Sequence, residues 1–152
     1  MEEQKSLARL QRLCSKAEYC RSDIRRKVLK DMEGDADAAS RILASLIEDR
    51  YVDDARYAVA FAREKANIQG WGPIKIRFQL RAKGVSEADI TAALQEVEPQ
   101  KASDKLDRLL AAKAKTLEGD PQKRLKLLKF GLSRGYSYED VEAPLEHLKN
   151  NS

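Results

Sequence analysis

The residues with the clearest chemistry are cations gathered in three short windows. Residues 21–30, 75–83 and 123–134 hold Arg21, Arg25, Arg26, Lys27, Lys30, Lys75, Arg77, Arg81, Lys83, Lys123, Arg124, Lys126, Lys129 and Arg134, against one acid, Asp23. These are nearly half of the 29 lysines and arginines, yet the 152-residue chain carries a net charge of only +4. The rest of the chain is therefore net acidic, and the two signs are separated rather than mixed. Basic windows recurring about every 50 residues suit a polyanion: each cation that meets a phosphate releases a condensed counterion.

Other reactive residue types are sparse. Cys14 and Cys20 are too few for a disulfide framework and lack a zinc spacing. Cys14 falls on one helical face with Leu7 and Leu10, which assigns it to a core. His147 is the only histidine, so a metal site would rest on carboxylates alone. Asp53-Asp54 is a carboxylate pair, for which helix capping is the simpler role. There is no glycine-rich phosphate loop, no Ser–His–acid set and no Cys–His pair. The chemistry expected is therefore binding, with no catalytic residues, metal or cofactor. The competing explanation for the basic windows is a solvated surface paired internally with neighbouring acids.

Positioning such cations falls to helices. Apolar residues make up 42% of the chain and charged ones 36%, enough for a folded but very polar protein. Leu7, Leu10 and Cys14, then Ile24, Val28 and Met32, then Ala39, Ile42, Leu43, Leu46, Ile47 and Tyr51 follow helical spacing. No stretch alternates long enough to make a strand. Start signals are Asp53, Gly72-Pro73, Asp120-Pro121, and the capping boxes Ser86 with Asp89 and Ser137 with Asp140. Stop signals are Gly34, Gly70, Gly84 and Gly135. Trp71, between Gly70 and Gly72-Pro73, either faces a partner or plugs a packing contact; the plug is favoured. No apolar run approaches bilayer length, and the start MEEQKSLARL lacks a secretory pattern, so a cytoplasmic protein is expected.

The elements repeat. Lys83-Gly84-Val85-Ser86 matches Arg134-Gly135-Tyr136-Ser137 at an offset of 51 residues, and Asp89, Ile90 and Leu94 match Asp140, Val141 and Leu145 at the same offset. Leu29, Asp35 and Leu43 pair in turn with Leu80, Ser86 and Leu94. The expected fold is all-α: three tandem three-helix repeats, 1–52, 53–98 and 99–152, forming an elongated, curved array. In each repeat the second helix is basic and the third acidic.

These residues resemble the RecX family of bacterial recombination regulators. The match is strongest in Asp53-Asp54-Ala55-Arg56-Tyr57-Ala58, Phe61, Trp71-Gly72-Pro73-Ile74-Lys75-Ile76-Arg77 and Leu80-Arg81-Ala82-Lys83-Gly84-Val85. Tyr19 through Leu29 and Tyr51-Val52-Asp53-Asp54 extend it through the first repeat. Phe130, Leu132, Arg134-Gly135-Tyr136 and Val141 extend it more loosely through the third. The chain departs from the family pattern at Cys20, where a capping serine is common, which leaves Ser22 as the substitute cap. It departs again at Glu33-Gly34-Asp35, where the second repeat has Lys-Gly-apolar-Ser.

The resemblance implies a non-enzymatic regulator, expected to be a monomer. It would bind the RecA recombinase as its filament on single-stranded DNA, lie in the filament groove, and restrain recombinase ATPase, strand exchange and co-protease action. Arg25, Arg26, Lys27, Lys75, Arg77, Arg81, Lys83, Arg124 and Lys129 are the expected electrostatic contacts to filament or DNA, with double-stranded DNA a further ligand and no membrane partner. The alternatives are a sequence-tolerant DNA-binding protein, or a helical interaction scaffold, acting without a recombinase.

Overall fold

The structure, a computed structural model, describes residues 1–150, which form nine helices and no strand. They are α1 (Glu3–Lys16), α2 (Arg21–Asp31), α3 (Ala36–Glu48), α4 (Asp54–Asn67), α5 (Pro73–Ala82), α6 (Glu87–Gln95), α7 (Pro99–Thr116), α8 (Lys123–Ser133) and α9 (Tyr138–Asn150). They fall into three groups of three, and the basic windows lie on the second helix of each group or at its C-terminal end.

The start and stop signals act as the residue chemistry requires. Asp53 accepts the Arg56 N–H at 3.1 Å, Ser86 that of Asp89 at 3.2 Å and Ser137 that of Asp140 at 3.1 Å. Each thereby satisfies a first-turn donor that has no intrahelical partner. Pro73 opens α5, where its missing N–H costs nothing. Two capping expectations need correction. Asp120 accepts the Gln122 N–H at 2.8 Å and the Lys126 ammonium at 2.6 Å, so Asp120-Pro121 forms a turn and α8 begins only at Lys123. Ser22 does not cap α2, because the helix begins at Arg21 and Ser22 already lies in its first turn.

Burial also corrects the register of the repeat. The buried positions of the second helices are Ile24, Ile76 and Leu127, and then Val28, Leu80 and Gly131. Val28, not the half-buried Leu29, is thus the counterpart of Leu80. In the third helices Ala39, Ile90 and Val141 are buried at the 51-residue offset. One extra residue therefore lies between Val28 and Ala39. The loop there holds two successive left-handed residues, Glu33 (φ 52°) and Gly34 (φ 86°). The other two loops use a single left-handed glycine followed by a buried apolar residue, Val85 or Tyr136.

Packing divides the described residues into two compact units, 1–60 with 80–93, and 61–79 with 94–150. In the first, Leu10, Cys14, Ile24, Val28, Ala39, Ile42, Leu46 and Val52 form the core of α1, α2 and α3. Both cysteines are free thiols, and burial pushes the Cys14 thiol above its ordinary value. In the second, Leu106, Leu110, Ala114, Leu127, Tyr136, Val141 and Leu145 join α7, α8 and α9. At Gly131 a side chain would meet Val141 Cγ2 at 2.6 Å, so glycine sets how closely α9 approaches α8. The middle group contributes to both units.

Candidate functional site

Two joints, one in each unit, hold the ends of basic helices, and both follow one plan. A helix start leaves N–H groups without acceptors, and a helix end leaves carbonyls without donors. Docking a start on an end satisfies both. In the first unit the start of α2 meets the residues that close α5. Ser22 Oγ donates to the Lys83 carbonyl at 2.6 Å, and Lys83 Nζ reaches both Asp23 oxygens at 3.0 and 3.1 Å. Cys20, the residue before α2, makes no side-chain cap; its Sγ lies 3.3 Å from Ser22 Oγ. The acceptor for the first N–H of α2 is instead Asp54 Oδ1, 2.8 Å from Arg21 N. The carboxylate pair thus splits its duties, with Asp53 capping α4 and Asp54 capping α2.

In the second unit the loop before α5 meets the residues that close α8. Gly72 N–H donates to the Arg134 carbonyl at 2.7 Å and Ile74 N–H to the Gly135 carbonyl at 3.0 Å. The Arg134 guanidinium donates to the Gln69 carbonyl. Neither glycine has room for a side chain. A Cβ on Gly72 would lie 2.3 Å from Gly135 O, and one on Gly135 would lie 2.3 Å from Lys75 Cβ. Trp71 is packed rather than presented. Its ring meets Phe61 edge-on with centroids 6.0 Å apart, and the Lys65 and Lys75 ammonium groups lie 5.0 and 4.4 Å from its centroid.

The expected contact residues divide by environment. In the first unit Arg25 is exposed and makes no ion pair among the described residues. Arg26 pairs with Asp23 while its side chain stays 69% exposed, Arg81 pairs with Glu87, and Lys27 lies 5.8 Å from the Tyr19 ring centroid. In the second unit Lys129 is exposed without an ion pair among the described residues, and Arg77 is half-buried. Arg124 pairs with Glu146 at 3.0 Å, and Lys75 covers Trp71. Exposed pairs of this kind are weak, so Arg26, Arg81 and Arg124 can exchange a carboxylate for a phosphate at little cost. Lys83 differs, because it is held in the first joint.

Asp23 sits between these cations. Burial pushes its carboxyl upward, but hydrogen bonds from Lys83 and Cys20 and the charges of Lys83 and Arg26 outweigh this and hold it below the ordinary value. Asp31 behaves alike: burial opposes, and hydrogen bonds from Arg9 and Ser6 prevail. Among the described residues no group of His, Cys, Asp and Glu could hold a metal ion, and no helix is long and apolar enough to cross a membrane. Sequence reasoning missed Asp54 as a cap for α2, and the pairing of Gly72 with Gly135. The repeated Gly–Ser motif and the glycine before Pro73 were the available signals.

These features define, among the described residues, an all-helical protein built from three-helix groups, with a basic second helix in each group and the starts of α2 and α5 docked on the residues that close α5 and α8. The comparisons agree. The family model described as "RecX, second three-helix domain" matches residues 53–94. "Regulatory protein RecX" from Bacillus mycoides (strain KBAB4) is 34% identical over 113 residues, 73% of this chain and 42% of that one, and its counterpart from Bacillus cereus (strain B4264) gives the same values. A crystal structure of regulatory protein RecX superposes with a TM-score of 0.81 at 27% identity, covering 92% of this chain and 70% of that one. That of RecX from Lactobacillus salivarius gives 0.80 at 22%, covering 97% and 96%. The chain belongs to the RecX family of regulatory proteins. It spans less than half the length of the curated relatives it matches.

Proposed function

We propose that this protein binds the RecA recombinase filament on single-stranded DNA and restrains its ATPase, strand exchange and co-protease activities. The observation that carries the reading is the basic second helix repeated in each of three groups of a RecX-family chain. Cations placed at several stations grip a long anionic track through many modest contacts, whose effects multiply once the first has formed. Arg25, Arg26, Lys27, Lys75, Arg77, Arg81, Arg124 and Lys129 serve as contacts, and Lys83 acts chiefly by orienting α2. Sequence repeats 1–52, 53–98 and 99–152 are the stations, and the chain acts as a monomer in the cytoplasm. No reacting group is involved; the chain hinders nucleotide-driven motion and DNA exchange by bridging protomers.

The test is titration into a recombinase ATPase assay with single-stranded DNA present. Inhibition approaching completion at substoichiometric to stoichiometric amounts is expected, and unchanged turnover at a stoichiometric amount refutes the reading. Binding to bare DNA without a recombinase effect would favour the sequence-tolerant DNA-binding alternative, which the same basic helices support.

A further inference from the structure

The corrected register shows one outward position where the middle group breaks the cationic pattern. Aligned on their buried residues, the second helices place Arg26, Phe78 and Lys129 at equivalent outer positions. One turn earlier they place Ser22, Ile74 and Leu125. Phe78 is 68% exposed and Ile74 57%. They lie four residues apart on α5 and therefore share a face. Packing does not demand an apolar residue there, since the other two groups carry a cation at the Phe78 position.

Two more exposed apolar residues belong to the same joint of the second unit. Ile74 N–H donates to the Gly135 carbonyl, and Gly135 N–H returns to the Leu132 carbonyl at 3.0 Å. Leu132 is 42% exposed, and Tyr138, which opens α9 three residues after Gly135, is 52% exposed. Neither α5 nor α8 contains an acid; their charged residues are all Lys and Arg. Glu139 and Asp140 follow Tyr138 at the start of α9, but along α5 and α8 the apolar side chains stand among cations alone, the composition of a protein-binding hot spot with a charged rim.

We propose that Ile74 and Phe78, flanked by Leu132 and Tyr138, are the anchor by which the chain docks on the protein component of its filament. The complementary surface is an apolar side chain set among carboxylates on a recombinase protomer. Aliphatic Ile74 and Leu132 favour a protein over a nucleic-acid base, which stacks on flat rings. The inference rests on the function proposed above: Phe78 supplies protein affinity where Arg26 and Lys129 supply phosphate affinity.

The experiment compares Phe78→Ala, Ile74→Ala with Phe78→Ala, and Lys129→Ala with the parent chain. Each is measured for inhibition of recombinase ATPase on single-stranded DNA and for affinity to the bare strand across salt. These exposed positions tolerate alanine in a helix, and far-UV circular dichroism verifies the fold. Phe78→Ala should raise the half-inhibitory concentration about tenfold or more and the double variant further, with bare-strand affinity unchanged. Lys129→Ala should weaken the bare strand and lower its salt slope. An unchanged half-inhibitory concentration for both Phe78 variants overturns the inference while leaving the proposed function standing. An equal loss on the bare strand overturns it in favour of base stacking. A parent chain that does not inhibit overturns both.

Discussion

Alanine at Gly135 should destabilise the second unit more than alanine at either Gly72 or Gly119, because of these three positions it alone combines two costs. Gly119 has φ 80° and open space within 4 Å of its added Cβ. Gly119→Ala therefore reports backbone strain alone, roughly 1–2 kcal/mol for an L-residue in the left-handed region, reduced by about 0.4–1 kcal/mol because the unfolded chain also loses freedom. Gly72 lies outside that region, but its Cβ would sit 2.3 Å from Gly135 O and 2.7 Å from Tyr136 N. Those are backbone atoms and cannot swing aside. Gly72→Ala must part the joint and weaken the Gly72 N–H bond to the Arg134 carbonyl, at about 1–3 kcal/mol. Gly135 has φ 96° and a Cβ clash of 2.3 Å with Lys75 Cβ, so strain and overlap combine to about 3 kcal/mol. That is a large part of the 5–15 kcal/mol typical of a domain. The assay is urea unfolding followed by the fluorescence of Trp71, the only tryptophan, whose ring lies against Lys75 beside this joint. Its native emission should shift in the Gly72 and Gly135 variants and not in Gly119→Ala. Should Gly135→Ala cost no more than Gly119→Ala, with Gly72→Ala silent, the close glycine–glycine approach does not hold the joint and the account of it is wrong.

Three further outcomes follow from the first unit and the basic helices. Asp23 has a depressed folded pKa, so its contribution to stability is present above the ordinary carboxylate value of about 3.9 and is lost as pH falls through the lower folded value; Asp23→Asn should remove that portion of the acid-side decline, and an unchanged profile counts against the Lys83–Asp23 bond. Asp54→Ala should destabilise by about 1 kcal/mol through loss of the α2 cap, with the Arg21 amide exchanging faster by hydrogen-exchange mass spectrometry; protection equal to the parent contradicts the assignment. Arg25→Ala should lower the log–log salt slope of single-strand binding by about 0.7, and a slope identical to the parent removes Arg25 from the contact set.

Much of this protein was legible in the sequence because its signals are local. Helical spacing of Ile24 and Val28, or of Ala39, Ile42 and Leu46, needs only the period of the backbone, and these residues are buried as the spacing requires. Caps at Asp53, Ser86 and Ser137 act within three residues of themselves. Charge separation and the Gly–Ser repeat likewise depend on order along the chain, as do the motifs at residues 53–58 and 71–77 that carried the family resemblance.

The tertiary structure decided whatever depends on residues distant in sequence. Asp53 and Asp54 are neighbours of the same type, yet one caps its own helix and the other a helix starting 33 residues earlier. Ser22, placed as a cap by local pattern, lies inside the first turn of α2, which begins at Arg21, and its hydroxyl donates to the Lys83 carbonyl 61 residues away. The one-residue shift between the first and second groups was invisible in the matched leucines, since a slip of one position rotates a helix by about 100° and only burial shows which leucine faces inward. Phe78 lies outside on α5, where the aligned positions of α2 and α8 carry Arg26 and Lys129. A sequence sets which residues can pair; the long-range geometry of chain ends and starts sets which of them do.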